Sequence, residues 1–496
     1  MSVLKFRLNQ SNMGTRYPEL KKAYVTGLDR APGRTQVELK PHLLICKKEA
    51  CESGRIFLPW PVDGFGMPMV GTATLVERDQ PYDLAVELAR GKLNDVRNQL
   101  ADWRLMGLKS TADLDALIHL AQSTFAKAAT SQDDPAASLA ASQECLTAAH
   151  RASMLLVETY TNQVLHKRLG HAAKLSTLVA TEVAGDPRST PYSHSITRAT
   201  NAAVIGQHWR DLAPVEGKYR WDDFDLQLAW CRRRRLTPIA RPILEFRNAA
   251  LPDWLWLWEG DFEAIVGMIG ELVKQAVHRY RGKLPIWRLV GRPATNDVLG
   301  LSEEQQIQIT AYALQTAREI APNTQFVIDF DRPWAEWMGS RNFQLGPLHV
   351  ANSLAQADLN LAGIGLEIAP GFDPPGSHLH EILDFSRMLD LYALINLPLH
   401  VSLFFPSSSK PDSQADQSIK VDTRQWGGDP TEESQRQWAA RWISLAVAKP
   451  FVKSVTISHA GDAQPHVYPN SGLMRHDFSS KPLFEWLKGF RTKYIE

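Results

Sequence analysis

Cysteine is scarce: four in 496 residues, Cys46, Cys51, Cys145 and Cys231, scattered along the chain. That number and spacing exclude a disulfide-built scaffold, and Cys46 and Cys51 lack further Cys or His at zinc spacing. Free thiols in a reducing compartment are the expectation. Excess charge of one sign is also missing. With 55 Lys and Arg against 54 Asp and Glu, the net charge is +1, which gives no footing for nucleic acid or an anionic membrane as partner. No apolar run approaches the roughly 20 residues that span a bilayer. Met1–Gln10 has no basic segment followed by a long apolar core, so no secretory signal is evident and a cytoplasmic location is expected. No Gly-rich phosphate loop, Ser-His-Asp order or metal-spaced His cluster occurs, so neither cofactor nor metal is expected.

What the chain does have is the balance of a soluble globular protein, 44% hydrophobic and 22% charged residues. Its length suggests two or three domains, one of them large enough for a barrel of roughly 250 residues. The 15 Trp are core filling for the most part, with a few available to line a sugar-binding groove. Residues 1–80 read as a small β-rich module, with short runs at Val37–Leu39, His42–Cys46, Arg55–Leu58 and Gly71–Val76 between Gly, Pro and charged turns. Residues 81–170 change to a helical period and form a connector. Leu84, Leu88, Leu93, Val96 and Leu100 share one face, a second helix spans Thr111 to about Ala129, and a third spans Ala136 to about Arg168. His150, among apolar neighbours in the third helix, reads as a packing residue.

From residue 175 to 496 strands and helices alternate. Eight short apolar runs occur at Leu175–Val183, Ala202–Gln207, Thr237–Phe246, Ile286–Val290, Gln325–Phe330, Gly363–Ile368, Leu397–Phe405 and Ser454–Ser458. Helical stretches fall between them, among them Asp222–Arg235, Phe262–Tyr280, Glu303–Ile320, His378–Ile395 and Thr431–Lys449. Strand–helix alternation implies right-handed βαβ units and a parallel sheet. Eight repeats point to an α/β fold, a (β/α)8 TIM barrel, preceded by the β-rich module and the helical connector. Such barrels carry their chemistry on the loops after the strands' C-terminal ends.

Particular passages resemble glycoside hydrolase family 10. Arg279-Tyr280-Arg281-Gly282-Lys283, followed by Ile286-Trp287-Arg288-Leu289-Val290-Gly291-Arg292, is similar to the family's R-Y-x-G-K and W-D-V-V-N-E on strand four. His208-Trp209 with Pro214, Gly217 and the aromatics Tyr219 and Trp221 resembles the motif after strand two, and Leu251-Pro252-Asp253-Trp254 the one after strand three. Ala317-Arg318-Glu319, Gly363-Ile364-Gly365 and Lys481-Pro482 extend the likeness towards the C-terminus, and Leu397-Pro398-Leu399 opens a passage similar to strand seven. The resemblance implies a saccharide partner. It places His208, Trp209, Arg247, Trp254, Arg288 and Asp462 as candidates to touch it, and Asp329 and Asp331 join them as carboxylates at the end of strand five.

The same resemblance places Arg292 where the family has its acid/base Glu, and Leu403 where it has its nucleophile. A retaining glycosidase needs two carboxyl groups about 5–5.5 Å apart. Guanidinium keeps its proton to about pH 12 or beyond, and a leucine has no nucleophilic atom. Glu245 and Glu367, at the ends of strands three and six, are the candidates for a relocated pair with the wider spacing of an inverting mechanism. Ion pairing with Arg241, Arg247, Arg288 and Arg292 is the competing role for these carboxylates. The same arginines are also suited to an acidic sugar or a phosphate. Three readings follow: a degenerate family 10-like barrel that binds a saccharide, an active hydrolase with relocated carboxylates, or a structural protein with a plugged mouth.

Overall fold

The computed structural model describes residues 2–8, 13–27, 31–48, 53–170, 173–294, 297–341, 345–374 and 376–496. Cys51 lies outside them; Cys46, Cys145 and Cys231 are buried free thiols. Among the described residues no helix is long and apolar enough to cross a membrane.

The N-terminal region holds two four-stranded sheets. One orders Thr35–Lys40, Leu43–Lys48, Ser2–Arg7 and Tyr82–Asp83; the other orders Pro32–Gly33, Tyr24–Thr26, Arg55–Pro59 and Met69–Gly71. The run at Gly71–Val76 is a strand only through Gly71. Thr72 N–H still donates to the Ile56 carbonyl, but the return bond goes to its Oγ1 and its carbonyl accepts from Arg55, so the ladder stops there.

Asp83 ends the last short strand and caps the helix Leu84–Leu105, accepting from the Val86 backbone. Thr111 and Asp134 cap the next two helices, Ala112–Thr130 and Pro135–Leu169, in the same way. These helices touch two cores. Leu84, Leu88, Leu93 and Leu146 pack with Phe6, Leu44 and Leu58 of the sheets, whereas Leu100, Trp103, Leu156 and Leu165 belong to the core of the barrel. His150 is buried with Nδ1 2.8 Å from the Leu146 carbonyl, and burial lowers its pKa to about 3. It packs as a neutral ring.

Eight parallel strands close the barrel: Leu178–Glu182, Ala202–Ile205, Thr237–Ala240 continued by Leu244–Glu245, Ile286–Gly291, Gln325–Asp331, Gly363–Ile368, Leu399–Leu403 and Val452–His459. The first strand pairs with both the second and the eighth, so no edge is left. Helices Phe262–Tyr280 and Glu303–Ile320 have the bounds the apolar period predicts. The stretch His378–Ile395 becomes helical only at Ile382. The Leu379 carbonyl accepts from the Met69 N–H instead of from a residue one turn on, while the His378 N–H donates to Glu336 and the Leu379 N–H to the Gln425 side chain. A further helix, Pro347–Gln356, was not among those read from the sequence.

The barrel interior is layered. Ala180, Ala202, Val204, Ile239, Ile286 and Val327 fill one end with apolar side chains, as such barrels require. Above them lies a polar layer built on Arg288, Asp329, Ser402 and Thr456. Glycine makes room for it: a Cβ on Gly365 would lie 1.7 Å from Asp329 Oδ1.

The N-terminal module props the loops after barrel strands six and seven. Met67 N–H donates to the Gln425 carbonyl (2.9 Å), Met69 N–H to the Leu379 carbonyl (2.7 Å), and His378 Nε2 meets the Met67 carbonyl (3.0 Å). Gly66 permits the contact, having φ +71° and no Cβ to strike the Gln425 carbonyl.

A buried ion pair between Lys92 of the connector and Glu381 of the barrel, with Ser153 Oγ donating to Glu381 at 2.6 Å, fastens the same region. Removing one partner of a buried pair strands the other charge. Lys92→Met is expected to lower stability to urea by about 3–5 kcal/mol, with much of the loss recovered in Lys92→Met/Glu381→Gln. An unchanged midpoint in the single variant would show that the pair does not hold the two regions together.

Candidate functional site

Strand alternation decides which side chains reach the barrel mouth. On strand four, Trp287 faces the surrounding helices, with Phe224 and Tyr280 at 6.3 and 6.2 Å between ring centroids. Arg288 faces inward. Its Nη1 donates to Ser402 Oγ (2.7 Å) and its Nη2 to Thr456 Oγ1 (3.0 Å), with Asp329 Oδ2 3.5 Å away. Burial raises the Asp329 pKa to about 7, outweighing Arg288, and Glu367, Glu245 and Glu182 push in the same direction as burial.

Arg292 stands at the mouth, 2% exposed, in the left-handed region at φ +59°. Its backbone N–H donates to the Asp329 carbonyl at 2.8 Å. Its Nε lies 3.2 Å from Glu245 Oε1, and its Nη2 reaches both Glu367 Oε1 and Tyr468 Oη. Tyr468 in turn donates to Glu367. One guanidinium thus bridges the two carboxylates that the sequence offered as a relocated pair. Glu245 is held further by Arg247 Nε at 2.8 Å and approached by His208 Nδ1 at 3.2 Å. Burial acts to raise the Glu245 pKa, but Arg247, Arg292 and His208 overcome it and hold the carboxyl well below the usual range. His208 is itself lowered to about 4, first by burial and then by Arg241.

The strand-seven position needs a correction. Leu403 belongs to the apolar layer between barrel and helices, because Ser402 is the inward residue that meets Arg288. The next side chain in the mouth is Phe404, 4.7 Å from the Tyr468 ring. Neither Leu403 nor Phe404 carries a carboxylate.

Of the residues expected to touch a saccharide, His208 and Arg247 border the open cleft and the others do not. Trp209 is 1% exposed and packs edge-on against Trp254, whose Nε1 donates to the Ala213 carbonyl. These rings support the loops after strands two and three from beneath. Asp331 is buried against Arg332 at 2.9 Å, and Arg288 and Asp329 lie inside the barrel. Asp462 binds Lys481 Nζ (2.6 Å), His459 Nε2 (3.0 Å) and the Gly472 backbone (2.8 Å), fastening the loop after strand eight. Its carboxyl is held well below the usual range, since His459 and Lys481 prevail over burial.

The cleft itself has a volume of about 960 Å³ and lies over strands one, two, three and eight. Glu182 and Arg241 pair across it at 3.1 Å, and Arg247 Nη1 pairs with Asp416 at 3.1 Å. Burial raises the Glu182 pKa, with Arg241 opposing. Gln207, Asp223 and His466 are among its other polar lining residues. Each of the four mouth arginines singled out from the sequence has a carboxylate partner, so none of these four is an uncommitted guanidinium for an acidic sugar or phosphate. Gln207, Asp223, Asp416 and His466 were missed because each stands in a loop or at a helix start without a motif.

His459, Asp462 and His466 bring ligand atoms within 4.8 Å of one another. Their geometry does not suit a metal. The two rings stack at 3.7 Å between centroids, 15° from parallel. An imidazole binds through a lone pair in its ring plane at about 2.0–2.1 Å, so one ion would lie well out of both planes. Asp462 is also already committed to Lys481.

Two carboxylates at this mouth have opposite linkage to folding. The depressed Glu245 contributes stability above the unfolded value of about 4.3 that is lost as pH falls through its folded pKa. Asp329, raised to about 7, contributes stability that is complete below its unfolded pKa of about 3.9 and is lost as pH rises through about 7. Urea midpoints of the parent are therefore expected to carry a falling component between about pH 4 and 8 that Asp329→Asn lacks. Parallel pH profiles would contradict the assignment.

No protein-family model matches the chain, and no curated protein matches it. Solved structures do match in fold. Xylanase 10B from Thermotoga maritima superposes with a TM-score of 0.50 at 14% identity, covering 65% of this chain and 97% of the xylanase. Xylanase 10B from Thermotoga petrophila RKU-1 in complex with xylobiose gives 0.49 at 14% identity, covering 67% and 97%. The likeness to the Thermotoga maritima enzyme, with the closed eight-stranded sheet, gives this chain a (β/α)8 barrel similar to that of family 10 xylanases.

Proposed function

We propose that this chain is a degenerate family 10-like barrel that binds a saccharide in the cleft over strands one to three and eight and does not hydrolyse it. The observation that carries this reading is the Arg292 guanidinium shared by Glu245 and Glu367. Glycoside hydrolysis by inversion needs one carboxyl kept protonated as acid and a second free to act as base on water. Glu245 is held ionised by its cations, and Glu367 Oε1 accepts from both Arg292 and Tyr468. With Leu403 and Phe404 on strand seven, double displacement has no nucleophile either.

The open volume favours binding over a wholly plugged mouth. Its walls hold fixed donors and acceptors: Arg241 with Glu182, Arg247 with Asp416, and Gln207. A concave site with a few convergent polar groups is the usual form of a small-ligand site, and charge-assisted hydrogen bonds from such groups suit vicinal hydroxyls. The xylobiose bound in the Thermotoga petrophila neighbour makes β-1,4-linked pentose and hexose oligosaccharides the first ligands to try.

Calorimetric titration with such oligosaccharides is expected to show binding. Hydrogen bonds to charged groups contribute about 1.5–3 kcal/mol, so Glu182→Gln/Arg241→Gln is expected to weaken binding by roughly 10-fold or more. Failure of every saccharide on a broad glycan array to bind the parent, or binding indifferent to these two substitutions, would exclude this cleft as a saccharide site.

A further inference from the structure

The mouth is open on one side and walled on the other. At the C-terminal ends of strands six, seven and eight, Ala369, Phe372, Phe404, Ile419 and Tyr468 form a separate buried apolar cluster. The Phe372 and Tyr468 rings are 5.0 Å apart, and Phe404 and Tyr468 4.7 Å. Val467 packs against this cluster and also borders the cleft, so the cleft ends there. Beyond the wall lie Arg292, buried, and Glu367, partly exposed, both hydrogen-bonded to Tyr468.

This wall has rigid backing. The loops that supply Phe372 and Ile419 lead into Leu379 and Gln425, which the N-terminal module holds through the Met67 and Met69 backbone. On the opposite side the cleft runs out between Gly185, Asp211, Pro214, Arg220 and Asp253, all exposed. A volume of about 960 Å³ is at the upper end of the roughly 300–1,000 Å³ that encloses a small ligand. A polymer lying across the whole mouth would have to pass through Val467 and Tyr468.

We infer that the cleft is blind at the Val467–Tyr468 wall and takes the end of a saccharide chain, or a short oligosaccharide, and not the interior of a polymer. This rests on the saccharide-binding reading above. The N-terminal module thereby acquires a role in recognition: it shapes the ligand by closing half of the mouth, without touching the cleft itself.

The full-length protein should be titrated with β-1,4-linked xylo- and gluco-oligosaccharides of increasing length, and with soluble xylan and hydroxyethyl cellulose of known chain number. Affinity is expected to rise over the first few units and then level off. Polymer should bind in proportion to its chain ends and be displaced completely by a short oligosaccharide. Affinity that climbs without levelling, or many protein copies loaded on each polymer chain, would overturn the blind-ended cleft while leaving saccharide binding intact. Absence of binding to any of these probes would remove the saccharide reading itself, and this inference with it.

Discussion

A guanidinium buried at 2% exposure, as Arg292 is, has to be paired, because an isolated charge in that position costs several kcal/mol even after relaxation. Much of the mouth follows from this requirement. Strand three ends on Glu245 and strand six on Glu367, and both aim oxygens at Arg292. The backbone N–H of Arg292 ties the turn after strand four to strand five. Tyr468 arrives from the loop after strand eight to share Glu367 and the guanidinium, and its ring seats Phe372 and Phe404. Glu245 brings Arg247 and His208 to the edge of the cleft, and Arg247 brings Asp416. In this arrangement both carboxylates are ion-pair partners of one guanidinium. A proton donor must be able to hold its proton near working pH, and Glu245 is driven in the opposite direction.

The second constraint is the attachment of the N-terminal module. Its helices share both hydrophobic cores, and its Met67–Met69 segment is hydrogen-bonded to loops that rise from strands six and seven. Loops at the C-terminal face of a barrel ordinarily set its specificity. Here two of them are pinned from outside. Closure on the strand-six and strand-seven side and openness on the strand-one to strand-three side therefore have one physical origin, the docking of the module against half of the rim.

The barrel was legible in the sequence because its strands are short buried runs separated by amphipathic helices, and both periods survive distant divergence. Phe262–Tyr280 and Glu303–Ile320 could be bounded to the residue by apolar spacing, and the structure caps them with Asp261 and Ser302. Arg292 and its carboxylate partners could be named because strand ends are short and ordered. What failed was whatever depends on side-chain direction or on a distant loop. Leu403 and Phe404 are neighbours, and only the strand's parity, set by Ser402 facing Arg288, says which of them reaches the mouth. Trp209 and Trp254 match a motif, yet their edge-on packing places them beneath the loops. Asp416 and His466 reach the cleft from irregular segments whose course no local pattern encodes. The late start of the helix at Ile382 reflects the Leu379 carbonyl, which accepts from the Met69 N–H of the N-terminal module instead of from a residue one turn on.

Arg292 holds Glu245 and Glu367 as ion-pair partners. The most direct measurement is hydrolysis of activated aryl β-xylosides and β-glucosides at high protein concentration by the parent, Glu245→Gln and Glu367→Gln. The account predicts release no faster than buffer alone in all three. Turnover by the parent that collapses in either variant would contradict it, and would return that carboxylate to the role of acid or base.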